Sequence, residues 1–212
     1  MAAAARQGDL FNQGPNSDQV LPLRSAQLPD ELSISQEQLQ TWQARIHHHQ
    51  APLFQGRATP GAQTQLFASA PGNDPLAGFN PLALRALPLS FWRWPESPHQ
   101  GAAIYLVMDR PPQLETPILL YVGETLAADR RWKGDHDCKA YLAAYGEALS
   151  SAGVASQPSI RFWGDVPTQT RARRRLELEL IQTWLPPFNK ETRERWATPF
   201  RADCRCRSTS TN

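Results

Sequence analysis

The spacing of proline divides this chain of 212 residues into two unlike halves. Residues 1–100 contain 11 of the 19 prolines, no lysine, and many glutamine, alanine and serine residues. Because each proline fixes φ and removes a backbone donor, this spacing leaves room for little regular structure. We predict that residues 1–88 form a mostly disordered leader with one short helix near residues 35–48.

A local pattern predicts that helix. Ser35 can cap its N-terminus, and three apolar residues recur at spacings of three and four: Leu39, Trp42 and Ile46. The aromatic segment 91–94, Phe-Trp-Arg-Trp, lies further along and is too apolar to remain in water. We therefore expect segment 91–94 to dock on the domain that follows it.

Composition excludes several classes of protein. A net charge of +2 is too small for a strongly basic protein that wraps nucleic acid, although it allows a local basic patch. Three cysteines, an odd number, predict no disulfide framework and favour a reducing compartment. No apolar run approaches the ~18 residues that a membrane span requires, and the first residues lack the apolar core of a secretory signal. We expect a cytoplasmic protein without membrane contact.

Short apolar runs and helical periodicity begin at about residue 100. Two apolar runs, 102–108 and 117–123, flank a polar loop that contains adjacent prolines, a pattern typical of antiparallel strands. Two helical patterns, a third strand and a long helix follow them. The predicted fold is α+β, a small three-stranded, mostly antiparallel sheet flanked by helices in the order ββααβα. Its domain spans residues 89–200, and a polar tail, 201–212, follows.

The last predicted helix carries a carboxylate among apolar residues. Glu177 lies inside the apolar stripe of that helix, which is formed at 100° per residue by Leu176, Leu180, Ile181 and Trp184. A carboxylate in this position is costly unless a cation meets it. One explanation is a partly buried salt bridge to Arg173. The other is a hard divalent cation, which prefers oxygen ligands and needs only one protein carboxylate beside a substrate phosphate.

Two tyrosines occupy the predicted strand pair. Tyr105 ends Ala-Ile-Tyr and Tyr121 opens Tyr-Val-Gly, so the phenols either project into one pocket or are core residues with a hydroxyl at the rim. Gly123 allows backbone or ligand to approach closely. Arg131, ten residues after Tyr121, lies on the next predicted helix, where its guanidinium either holds a phosphate or is solvated.

These motifs together resemble the GIY-YIG nuclease family. The resemblance rests on Ala-Ile-Tyr, Tyr-Val-Gly, Arg131, Glu177 and Asn189, and it covers residues 102–189, somewhat under half of the chain. The segments around Tyr-Val-Gly and Glu177 are similar to those of excision-repair nucleases and intron homing endonucleases. The resemblance implies a DNA endonuclease of repair, recombination or restriction that uses one divalent ion, Mg²⁺ or Mn²⁺.

The resemblance also implies a role for each matching residue. Glu177 would hold the metal ion, and Tyr105 would be the general base or relay for the attacking water. Tyr121 would hydrogen-bond the water or the phosphate, Arg131 would stabilise the developing charge, and Asn189 would position the strand end or a phosphate. A phenol with a pKa of about 10 is a poor base at neutral pH, so these roles require a nearby cation that lowers that pKa.

Departures from the family pattern define an alternative. Ala103 replaces the usual leading glycine, and the two motif tyrosines are further apart than is common. Glu124 follows Tyr-Val-Gly, where an extra acid is unhelpful beside a phosphate unless it assists the metal. His136 lies one position later than the histidine of some relatives and is a weaker proton relay. Glu124 and the longer hairpin favour the alternative, a catalytically inactive GIY-YIG-fold module that binds DNA or protein.

Basic residues open the helix that carries Glu177. They either form a solvated face or contact the nucleic-acid backbone, which would make binding steeply dependent on salt. Glu179 lies outside the apolar stripe, where it can pair with an arginine four residues earlier. The candidates for substrate contact in this run are Arg171, Arg173, Arg174 and Arg175.

The pattern Gln-x-x-Leu-Phe occurs three times in the leader, at 7–11, 50–54 and 63–67. It resembles the peptide by which bacterial replication and repair proteins bind the sliding clamp, and the copy at 7–11 is the nearest match. A Leu-Phe pair offers two adjacent apolar anchors, and several copies on one tether raise the local concentration. We expect these segments to bind a sliding clamp or another protein; the alternative is chance repetition in a glutamine-rich leader.

Overall fold

An antiparallel sheet covered by helices forms the described part of the protein. A computed structural model describes residues 34–56, 76, 79–96, 98–132 and 137–201. The helices and strands, in chain order, are α1 (Gln36–Phe54), β1 (Leu87–Pro88), β2 (Ala103–Asp109), β3 (Ile118–Thr125), α2 (Ala128–Arg131), α3 (Asp137–Ser151), β4 (Ser159–Trp163) and α4 (Thr170–Trp184).

The sheet has four strands among the described residues, in the order β1-β4-β2-β3, and each neighbouring pair is antiparallel. The α+β class is therefore confirmed, and the elements from β2 to α4 follow the predicted order ββααβα. The predicted strand number is one too few, because β1 pairs Leu87 with Ile160 of β4. A strand of two residues that ends at a proline leaves no alternating pattern, so periodicity cannot reveal it.

Helix α1 belongs to the domain rather than to a leader. The side chains of Ser35 and Gln38 form a capping box at its N-terminus. The apolar stripe of α1, Leu39, Trp42 and Ile46, is buried in one core with residues of β3 and α3. The predicted domain start at residue 89 is therefore too late. The predicted disorder of residues 1–33 and 57–75 concerns positions outside the described residues.

The last turn of α1 contains the second copy of Gln-x-x-Leu-Phe. Gln50 donates through Nε2 to the carbonyls of Leu119 and Trp184, at 3.0 and 2.9 Å, and its Oε1 accepts from the Leu119 N–H at 2.7 Å. Phe54 packs edge-on against Trp184, with 4.6 Å between ring centroids. These contacts stabilise the last turn of α1 and offset the cost of Pro52 inside the helix. The helix therefore ends at Phe54, beyond the predicted end at residue 48.

The same contacts correct one partner prediction. Gln50 and Phe54, the two ends of the 50–54 copy, are buried in the domain, so a sliding clamp cannot use them as anchors. The copies at 7–11 and 63–67 lie outside the described residues, and their binding of a partner stays a prediction.

A second side-chain amide pairs with the backbone of β3. Asn189 accepts through Oδ1 from the Val122 N–H at 2.9 Å and donates through Nδ2 to the Val122 carbonyl at 2.8 Å. The N–H of Phe188 donates to the Leu120 carbonyl at 3.0 Å. The segment after α4 therefore lies along β3, where it holds the strand next to Tyr121.

Segment 91–94 docks on the domain through its first residue. Phe91 is buried and packs edge-on against Trp132 and Phe162, with 5.8 and 5.3 Å between ring centroids. Trp94, in contrast, is 41% exposed. The prediction that this segment docks is confirmed for Phe91 and is wrong for Trp94.

Two features of the described residues bear on the environment of the chain. None of the described helices is both long and apolar enough to cross a membrane. Cys138 is buried and forms no disulfide with another described residue, and the other two cysteines, Cys204 and Cys206, lie outside the described residues.

Candidate active site

An open cavity of about 320 Å³ lies between β3, α4 and the turn that follows α4. Four of the residues that line it belong to the predicted site or its basic run: Tyr121, Arg174, Glu177 and Asn189. Six further residues line the same cavity: Leu178, Ile181, Phe188, Lys190, Glu191 and Arg193. The cavity therefore combines an apolar wall with charged groups of both signs.

Tyr105 and Gly123 face each other across β2 and β3. A Cβ atom on Gly123 would lie 2.4 Å from both Cζ and the hydroxyl oxygen of Tyr105, so the phenol fills the space that a side chain would need. The Tyr105 ring stacks on Tyr121 with 5.9 Å between centroids. Tyr105 is wholly buried and does not line the cavity. Of the two phenols, Tyr121 is therefore the one that can touch a ligand there.

Arg131 contacts Tyr105 rather than the cavity. Its side chain is exposed, and its Nε donates to the Tyr105 hydroxyl at 3.4 Å. Burial raises the pKa of Tyr105 and of Tyr121, and at Tyr105 this effect outweighs the lowering of the pKa by Arg131. Both phenols keep their protons at neutral pH in the protein alone. The contact with Arg131 is therefore not sufficient by itself to make Tyr105 a base at neutral pH, and the role of Tyr105 as base or relay stays a prediction that requires the metal ion.

Glu177 lines the cavity from α4. Its Oε1 accepts a hydrogen bond from the Glu124 N–H at 3.0 Å, and it forms no salt bridge with another described residue. Burial raises the pKa of Glu177 to about 7, and repulsion by Glu124 and Glu191 adds to this shift, while the Glu124 N–H and Arg174 oppose it. The predicted salt bridge to Arg173 is absent. Glu177 is thus a carboxylate on an open cavity that forms no salt bridge within the described part of the chain.

Arg173 forms its ion pair with Glu124 instead. Arg173 is 0% exposed, its Nε donates to Glu124 Oε2 at 2.9 Å, and its Nη1 donates to the carbonyls of Pro167 and Thr168. A buried Arg173 cannot contact a DNA backbone, so the prediction of that contact is wrong. In the sequence, Glu124 was a reason to expect an inactive module. In the structure, it is the ion-pair partner of Arg173, so Arg173 does not pair with Glu177.

The other arginines of the basic run are exposed. Arg174 lines the cavity, is 69% exposed, and donates through Nε to Glu124 Oε1 at 3.2 Å. Arg175 pairs with Glu179 at 3.1 Å, which confirms the predicted pair at a spacing of four residues. Arg171 and Arg175 do not line the cavity. Within this run, Arg174 is therefore the arginine that can contact a ligand in the cavity. The other predicted substrate-binding residue, His136, lies outside the described residues.

The charge of Glu177 suits a divalent cation. Mg²⁺ and Mn²⁺ prefer oxygen ligands and complete their coordination with water and substrate phosphate, so one carboxylate on an open cavity is a sufficient protein ligand. No group of three or more His, Cys, Asp or Glu side chains within the described part of the chain could hold a metal ion. Binding of an ion at this cavity would therefore depend on Glu177 together with water or substrate.

Replacing Gly123 with alanine should displace the Tyr105 phenol. The new methyl group would overlap Tyr105 and would lie 2.8 Å from Tyr121 Cε1, in a site enclosed by aromatic rings. We expect Gly123→Ala to lower the free energy of unfolding by about 1–3 kcal/mol, measured by denaturant titration. Gly146→Ala is the control, because a Cβ on Gly146 in α3 meets no atom within 4 Å and should stabilise the helix slightly. Equal stability of the two variants would contradict the close approach of Tyr105.

Neutralising Glu124 should lower the pKa of Glu177. Glu124→Gln removes a repulsive charge and frees Arg173 and Arg174, and both changes favour the ionised form of Glu177. Carboxyl-carbon NMR titration should therefore give a Glu177 pKa below about 7. Glu191→Gln should shift that pKa in the same direction by less, since the repulsion from Glu191 is the smaller of the two. A rise of the pKa in Glu124→Gln would contradict this electrostatic arrangement.

Sequence patterns did not reveal the charged residues that follow Asn189. Lys190, Glu191 and Arg193 line the cavity because the chain turns after α4 and then follows β3. Their charges stand at short spacing in the sequence, which is a visible signal. Spacing alone, however, does not distinguish a turn that returns to the site from one that leaves it.

No protein-family model, no curated protein and no solved structure matches this chain. The GIY-YIG resemblance therefore stays a prediction from motifs. A proposal for the function has to rest on the residues of the cavity and on the contacts that hold them.

Proposed function

We propose that the protein is an endonuclease that hydrolyses DNA phosphodiester bonds with one divalent metal ion, Mg²⁺ or Mn²⁺. The observation that carries the proposal is Glu177, a carboxylate without a salt bridge to another described residue, on an open cavity that also has cationic side chains. This combination suits a divalent ion together with a phosphate. The motif pattern that resembles GIY-YIG nucleases points independently to the same residue.

The contacts of the other motif residues support a division of roles. Tyr121 lines the cavity as a protonated phenol, and it would donate a hydrogen bond to a phosphate oxygen or orient the attacking water. Tyr105 would position Tyr121 through the stacking of the two rings, and its hydroxyl accepts a hydrogen bond from Arg131 Nε. Asn189 holds the strand that carries Tyr121, and Arg174 offers the phosphate a cationic partner.

Glu177 would hold the metal ion. When bound, the ion supplies Lewis-acid stabilisation of charge on the phosphate. Glu177 would have to lose its proton to hold the ion, and the pKa of that carboxyl is about 7. Glu177 carries its negative charge above this pH and loses it below, so binding of the ion should strengthen as pH rises through about 7.

Nicking of supercoiled plasmid and of branched DNA by the purified protein tests the proposal. We expect cleavage with Mg²⁺ or Mn²⁺ and its complete loss when EDTA removes the ion. Readdition of Mn²⁺ in excess over EDTA should restore cleavage, which separates loss of the ion from loss of protein. Cleavage that persists in EDTA would contradict a metal-dependent site. Intact DNA binding without cleavage under every ion condition would support the alternative, an inactive binding module.

A further inference from the structure

The cavity has an apolar wall that metal-ion chemistry does not require. Its apolar lining consists of Tyr121, Leu178, Ile181 and Phe188. Leu178, on the arginine-rich helix α4, is a large apolar side chain that is 42% exposed. A single exposed leucine is ordinary, but one that lines a cavity together with aromatic residues offers a surface to a flat, apolar group.

Cations lie on the same cavity as this wall. Lys190 is exposed, and Arg193 donates through Nη1 to the Tyr141 hydroxyl at 2.7 Å with its guanidinium 5.6 Å from the Tyr141 ring centroid. The contacts with Tyr141 restrain Arg193, so less entropy is lost when it binds an anion. A nucleotide combines these two features, because its flat base and its anionic phosphate lie a short distance apart.

We infer that this cavity binds an unpaired nucleotide of a DNA strand, with the base against Leu178 and Tyr121 and a phosphate on Lys190 and Arg193. The inference rests on the proposed nuclease function and names its substrate class, DNA with a single-stranded segment. A base inside a duplex is stacked on both faces and cannot reach such a wall without leaving the helix. The volume of about 320 Å³ suits a group of nucleotide size and is too small for a duplex.

Fluorescence anisotropy in EDTA separates this binding from cleavage. The probe is a fluorescein-labelled single strand of roughly twelve nucleotides, compared with the same sequence as a blunt duplex. We expect the wild-type protein to bind the single strand more tightly than the duplex. Leu178→Ala should weaken binding of the single strand by roughly fivefold and leave the duplex unchanged. Leu126→Ala is the matched control, since Leu126 is 58% exposed and does not line the cavity.

The salt dependence of binding tests the phosphate contact. Lys190→Gln should reduce the slope of log K against log salt for the single strand by about 0.7, the value for one lost phosphate contact. Arg45→Gln, on the exposed face of α1 and outside the cavity, removes the same charge and should leave the slope unchanged. An unchanged slope in Lys190→Gln would overturn the phosphate assignment.

Two further outcomes distinguish this inference from the proposed function. Equal weakening of single strand and duplex by Leu178→Ala would overturn the nucleotide site, while metal-dependent cleavage could still be observed in the wild-type protein. Conversely, selective binding of the single strand through Leu178, without cleavage under any ion condition, would support the nucleotide site and contradict the nuclease.

Discussion

Glu177→Gln should reduce metal-dependent DNA cleavage by about 10³-fold or more, because the neutral amide removes the carboxylate that we assign to the metal ion. The substitution keeps the size of the side chain, and the amide oxygen can still accept the hydrogen bond from the Glu124 N–H. The fold should therefore be retained. Initial rates of plasmid nicking in Mg²⁺ provide the measurement.

Glu179→Gln is the matched control for this variant. Glu179 lies on the same helix, and its loss removes only the pair with Arg175, in which both side chains are partly exposed. Such a pair contributes less than about 1 kcal/mol, and its removal should leave cleavage unchanged. Wild-type rates in Glu177→Gln would contradict the assigned role of Glu177.

The stability of Glu177→Gln supplies a test that does not depend on cleavage. The folded-state pKa of Glu177, about 7, lies above its ordinary value of 4.5, so the folded protein binds the proton more tightly than the unfolded chain does. In the wild-type protein, the tighter binding of this proton stabilises the fold fully below about pH 4.5. This stabilisation is lost as pH rises through about 7. Glutamine does not ionise. The Tm of Glu177→Gln relative to wild type should therefore be higher at about pH 8 than at about pH 5.

Arg173→Met should lower the free energy of unfolding by about 3 kcal/mol, because it leaves the Glu124 carboxylate without its buried partner. It also removes the donors to the carbonyls of Pro167 and Thr168, which directly precede α4. Chemical denaturation gives the free energy. The double variant Arg173→Met/Glu124→Gln should recover part of the loss, since it removes the carboxylate that would otherwise keep only the exposed Arg174 as its partner.

Arg174→Met provides the comparison for Arg173→Met. Arg174 contacts the same carboxylate at 3.2 Å but is 69% exposed, so its pair with Glu124 should contribute less than about 1 kcal/mol. A loss in Arg174→Met as large as that in Arg173→Met would contradict the conclusion that burial decides the strength of these two pairs.

Periodicity predicted the elements from β2 to α4, and it placed Glu177 on the apolar stripe of α4. It could not identify the partner of Arg173. Side chains on a helix lean toward its N-terminus, so Arg173 extends toward Thr168 and the end of β3 and away from Glu177, which lies one turn later. The true partner, Glu124, lies 49 residues earlier in the sequence and meets Arg173 only because α4 packs on β3.

The apolar stripe of α1 is equally visible in the sequence, but its burial partners are not. Leu39 and Ile46 pack with Ile118 and Leu120, and more than 60 residues separate the helix from that strand. Proline spacing wrongly predicts that α1 stands apart from the domain. Local patterns define an amphipathic face, whereas only tertiary packing defines what covers it.

The amide pairs of Gln50 and Asn189 have a consequence for how this sheet can meet other chains. An edge strand with free N–H and C=O groups is a template on which a peptide or a second copy can add a strand, and such additions lead to aggregation or unintended partners. Gln50 satisfies both backbone groups of Leu119, and Asn189 satisfies both of Val122. At these two residues β3 therefore presents no free backbone group beside the cavity on which a further strand could add.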